Sequence, residues 1–119
     1  MAKLEVKSLE KPEEVKSFPK GKVELVTLGG ASVARITLEP GWKWSEHVKP
    51  LAQTSSCQTT HLQYHLAGTF HVVMEDGSEA EMIVGDVSSL PPGHDAWVVG
   101  NEQVILIDFR GMMDSQGKK

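Results

Sequence analysis

What most restricts this chain is its punctuation. Turn signals recur at short intervals: Pro-Lys-Gly at 19–21, Gly-Gly at 29–30, Pro-Gly at 40–41, Glu-Asp-Gly-Ser at 75–78, Gly-Asp at 85–86, Pro-Pro-Gly at 91–93 and Gly-Asn-Glu at 100–102. Between them lie short runs rich in Val, Ile, Leu and Phe, and this spacing predicts an all-β sandwich or barrel. In residues 69–84, Phe70, Val72 and Met74 alternate with Thr69, His71 and Val73. Ala80, Met82 and Val84 alternate with Glu79, Glu81 and Ile83, so the segment reads as two strands of a hairpin.

Residues 102–110 carry Val104, Leu106 and Asp108 on one parity and Ile105, Ile107 and Phe109 on the other. A strand apolar on both faces is expected in the core on one side and under another layer or a second subunit on the other, which predicts a homodimer. Only the first 18 residues admit a helical turn, and Pro12 limits where it would start. The organisation expected is a short N-terminal arm over 1–20, one barrel over 21–111 and a frayed tail over 112–119.

At 119 residues there is chain for one domain with one core. The 12 basic and 16 acidic groups, net −4, are interspersed, which argues against nucleic acid as a partner. The single cysteine, Cys57, rules out an internal disulfide and suits a reducing cytoplasm. The charged N-terminal stretch lacks the apolar core of a signal peptide, and no apolar run approaches the ~20 residues of a membrane span, so no membrane association is expected.

The stretch "PGWKWSEHVKP", 40–50, reads as a strand leaving a Pro-Gly turn, and in it Gly41 is followed after five residues by His47. Gly68 is preceded by His61, with six residues between. Further on, Gly85 is followed after five residues by Pro91, Pro92 and Gly93. These two glycine-framed motifs, joined by the hairpin, resemble those of the cupin family. The resemblance covers the middle and C-terminal two-thirds of the chain. It implies a single jelly-roll β-barrel, also called a double-stranded β-helix, around a central metal or ligand pocket.

The ligands depart from the family pattern. Lys49 stands where the second histidine of the first motif belongs, His61 where its glutamate belongs, and Ala96 where the second-motif histidine belongs. Only His47 occupies its expected slot, and the inserted loop "PLAQTSSCQT" shifts the register of Cys57 and His61. Strand parity offers compensations: His94 lies two residues before Ala96, and His65 lies on the face of His61 with Gln63 between them.

The expected pocket therefore joins His47, His61 and His94 as metal ligands, with His65 deeper. Lys49, Cys57, Gln63, His65 and Trp44 are candidate substrate contacts. Three neutral imidazoles suit a divalent transition metal such as Zn, Fe, Ni, Cu or Mn, and the alternative is a polar pocket of histidines around an organic ligand. Lys49 repels a cation unless it turns away, and it reads either as an anchor for a small anion or as a solvated rim charge. Cys57 reads either as a soft ligand or as an inert thiol.

Trp42, Trp44 and Trp97 either line the pocket mouth or pack. His71 is expected on the surface or at an interface, Tyr64 between layers, and adjacent His94 and Asp95 on opposite faces. The resemblance implies metal-assisted oxygenation, isomerisation or decarboxylation of a small molecule. A non-catalytic module that binds or senses a small organic anion is the alternative.

Overall fold

The computed structural model describes residues 3–47, 49 and 61–109. Alternating apolar residues between the turns form nine strands among these residues: β1 Glu14–Phe18, β2 Gly21–Leu28, β3 Ala31–Leu38, β4 His61–Ala67, β5 Thr69–Met74, β6 Glu79–Met82, β7 Val87–Leu90, β8 His94–Val99 and β9 Val104–Asp108. All their pairings are antiparallel. A six-stranded sheet runs β1-β2-β3-β9-β4-β7, and a three-stranded sheet runs β6-β5-β8. The non-sequential neighbours β3-β9-β4 are the crossovers of a jelly-roll.

The core lies between the two sheets. Leu38, Leu90, Val104 and Leu106 from the larger sheet meet Phe70, Val72, Met82, Ala96 and Val98 from the smaller one. The expected hairpin is β5–β6, paired Phe70 to Met82 and Val73 to Glu79. The period of two holds cleanly in β8 and β9: His94, Ala96 and Val98 are buried on one parity, and Val104, Leu106 and Asp108 on the other strand.

Two framing glycines have direct structural causes. Gly68 adopts φ 79°, and a Cβ there would fall 2.9 Å from the Val104 Cα, inside the crossing of β4 and β9. Gly93, at φ 94°, starts β8 beside the Glu75 carboxylate. L side chains rarely adopt these dihedrals, so each glycine fixes a chain reversal.

Two expectations about the elements are corrected. Residues 14–18, within the stretch expected as a short arm that admits a helical turn, form a strand: β1 pairs with β2 from Glu14–Leu25 to Phe18–Gly21. The Pro19-Lys20 turn closes this hairpin, with Lys20 at φ 62°. The preceding residues are tied to β2 and β3 by charge. Arg35 donates to Glu10 at 2.6 Å and Glu24 at 2.9 Å, and Glu13 accepts from the Thr27 N–H at 2.7 Å.

The second correction concerns Trp44–His47, which closes one helical turn, α1, where a strand was expected. The His47 N–H donates to the Lys43 carbonyl at 2.9 Å, and the Ser45 N–H donates to the Asp95 carboxylate at 3.0 Å. An acceptor at the start of the turn and the burial of Trp44 together favour helix over extension.

On the outer face of the larger sheet Ile105 and Ile107 are half-buried, while Tyr64, Leu66 and Val87 are 41%, 43% and 67% exposed. Tyr64 therefore does not pack between the layers of this chain. A bulge falls between His65 and Ala67, and Leu66 shares the outward parity of Tyr64. No helix among the described residues is long and apolar enough to cross a membrane.

Candidate functional site

Strand β4 brings His61, Gln63 and His65 to the inner face by simple alternation. Its neighbour β9 sets Asp108 directly beside Gln63 in register. Asp108 is 0% exposed, and a buried carboxylate needs donors. It finds one in His61, whose Nδ1 lies 2.5 Å from Asp108 Oδ2, and a weaker one in Gln63 Nε2 at 3.5 Å. A carboxylate only accepts, so the His61 ring nitrogen at this contact, Nδ1, carries the proton.

The opposite sheet supplies His94 at the start of β8. Its Nδ1 donates to the Pro91 carbonyl at 2.8 Å, which fixes the same tautomer. The rings of His61 and His94 meet edge to face with centroids 5.3 Å apart. Next to them opens a cavity of about 210 Å³, lined by His61, Gln63 and His94 and otherwise by apolar residues including Phe18, Trp42, Trp44, Phe70 and Leu106. Ala96 also lines it.

Three buried polar atoms have no hydrogen-bond partner among the described residues: Trp42 Nε1, Gln63 Oε1 and Asp108 Oδ1. Unpaired buried polar atoms are rare and costly, which makes this end of the barrel unusual.

The residues singled out from the sequence are distributed as follows. His61, His94, Gln63 and Trp44 line one cavity. His65 is 1% exposed but lies beyond the lining, with its Nε2 3.0 Å from Ser88 Oγ, and burial lowers its pKa against the opposing charge of Asp86. His47 is not brought to His61 and His94: its Nδ1 accepts the Lys43 N–H at 3.1 Å, back on its own helical turn. Lys49 is exposed, and Cys57 lies outside the described residues.

Trp97 stands on the outer face, stacked on His71 at 4.7 Å beneath the Lys43 ammonium, so it does not line the pocket mouth. Asp95 faces away from His94 and caps α1 instead. Asp108 was missed. The signal was present, because a carboxylate shares the core parity of Val104 and Leu106.

The family resemblance in the sequence implies a metal, and the donors test it. Among the described residues no group of three or more His, Cys, Asp or Glu is arranged to hold one. His61 and His94 are two imidazoles, Ala96 contributes a methyl group, and His47 is engaged elsewhere. Catalytic metal sites of this kind take three protein ligands, so the described residues do not fit one.

No protein-family profile and no curated protein matches the sequence. Solved structures do match its shape. Ectoine synthase from P. lautus superposes with a TM-score of 0.64 at 12% identity, covering 96% of this chain and 86% of that one. A cupin-like protein from Thermotoga maritima gives 0.58 at 15%, covering 87% and 80%. KdgF from Halomonas sp. gives 0.57 at 16%, covering 82% and 88%. The chain has the cupin jelly-roll fold.

Proposed function

We propose that this barrel binds a small, largely apolar organic molecule and moves a proton on it, in an isomerisation-type reaction with His61 as the base. The observation that carries the reading is the 2.5 Å contact of His61, on the cavity wall, with the fully buried Asp108. Asp108 orients the imidazole and stabilises the cation formed when His61 takes a proton, as a buried carboxylate does for a catalytic histidine. His94, held by Pro91, stands across the ring pair as the second proton-handling group. The apolar wall excludes water and strengthens these interactions.

The test is solvent-deuterium exchange into the α-carbon of small apolar ketones, followed by NMR with chelator present. Exchange by the wild type is expected, lost in His61→Ala and lowered on the order of 10²-fold or more in Asp108→Asn. Ketones that bind without exchanging would replace this reading with the non-catalytic binding module. Exchange that needs added Zn, Fe, Ni, Cu or Mn would restore the metal reading.

The exposed Tyr64, Leu66 and Val87 support pairing with a second copy across the outer sheet face. Light scattering should give a dimer for the wild type and a monomer for the Tyr64→Lys, Leu66→Lys double variant. A monomeric wild type would end this idea.

A further inference from the structure

One row of paired residues crosses the whole outer face of the larger sheet. Val15 pairs with Glu24, Glu24 with Arg35, Arg35 with Ile107, Ile107 with Tyr64 and Tyr64 with Val87. Residues opposite one another in register share a face, so the edge strands β1 and β7 present Val15 and Val87 on the same side. Between them the row is ionic at Glu24 and Arg35, joined at 2.9 Å, and apolar again at Ile107 and Tyr64.

The exposed apolar side chains gather at the two ends of this row. At the β7 end, Tyr64, Leu66 and Val87 adjoin Ile83 and Val84, 56% and 61% exposed, on a turn whose Gly85 N–H and Asp86 carbonyl bond to the His65 backbone. At the β1 end, Val15 is 53% exposed, and the arm before it adds Leu4 and Val6 at 91% and 84%. The arm is fixed there through the alternate residues. Glu5 accepts from the Gly29 N–H at 2.8 Å, while Lys7 pairs with Glu13 at 2.7 Å and donates to the Thr27 carbonyl. Further along, the Leu9 carbonyl and the Glu10 carboxylate accept from Arg35 of the central row. Anchoring through Glu5 and Lys7 leaves Leu4 and Val6 turned to solvent.

All eight exposed large apolar side chains among the described residues thus belong to one end or the other. Two unlike patches on one face complement each other under two-fold symmetry. Rotation about an axis in the face, parallel to the strands, lays the β1 end of each copy on the β7 end of the other. With roughly 100 Å² to lose at each side chain, the eight approach the ~800 Å² per partner that a stable interface takes. We infer that two copies pack outer face to outer face in this way, with Leu4 and Val6 of each arm seated on the partner's Tyr64, Leu66 and Val87. The inference rests on the pairing proposed above and adds its symmetry and the role of the arm.

Sedimentation velocity over a dilution series reads the dimer's Kd, and methyl NMR of a mixed dimer reads its symmetry. Leu4→Ser combined with Val6→Ser should raise Kd about tenfold or more, and both side chains are exposed in the single chain, so the barrel should stay folded. In the mixed dimer one copy carries a nitroxide at Lys3→Cys in a Cys57→Ser background, and the other carries isotope-labelled methyl groups. Broadening of the Leu66, Val84 and Val87 methyls is the expected result. Broadening at Leu4, Val6 and Val15 instead would lay like ends together and overturn the inference, as would an unchanged Kd, and both results leave the dimer standing. A wild type that stays monomeric would overturn the pairing as well.

Discussion

Residues 41–47 and 61–65 both carry histidines that the glycine frame aims at one pocket, and the barrel treats them in opposite ways. The first stretch turns through Gly41 and closes a helical turn, burying Trp44 and folding His47 back onto Lys43. The second stays extended, so alternation carries His61, Gln63 and His65 inward. Side-chain direction follows from spacing only when the period is right, two for a strand and 3.6 for a helix. The first stretch has become a structural clamp; the second brings His61 and Gln63 to the cavity wall.

That contrast can be broken at several points. The largest effect should come from Trp44→Ala, a loss of about 3–5 kcal/mol in urea unfolding, as for other buried aromatic truncations. A loss below about 1 kcal/mol would mean that the helical turn is not anchored by its tryptophan. Next is Asp108→Ala, which strips the buried acceptor from His61 and should cost about 2–3 kcal/mol. A near-neutral result, with proton exchange intact, would remove Asp108 from the proposed machinery.

A smaller effect depends on pH. Burial holds the His65 pKa below its ordinary value of 6.5, so the unfolded chain binds a proton that the folded one refuses. Stability is therefore complete above that value and falls as the pH drops through it. His65→Gln should flatten this slope between about pH 7 and about pH 5, and an unchanged slope would assign it elsewhere. The smallest effect belongs to His47→Ala: within about 0.5 kcal/mol, and no change in the rate of α-carbon exchange. Loss of exchange in that variant would return His47 to the site.

Much of the site was legible for a local reason. His61, Gln63 and His94 follow from strand parity beside framing glycines, and Trp44 was placed at the pocket for its aromatic bulk. Asp108 was overlooked although its parity was plain, because its role needs a partner 47 residues away in the chain. His71 could be read as outward-facing, but its stacking on Trp97 could not, since that contact joins β5 to β8.

The sequence alone determined the class of fold: turn spacing and alternation dictate antiparallel strands, because these are properties of neighbours along the chain, and the glycine-framed motifs carry the resemblance that implies the jelly-roll. Only the tertiary structure decided which groups meet. It joined β4 to β9, setting a carboxylate behind His61, and it curled residues 44–47 into a helix that carries His47 away. The reason is that helix and strand are close in local preference for so short a segment. The burial of Trp44 and the Asp95 cap, both set by distant residues, tip the balance.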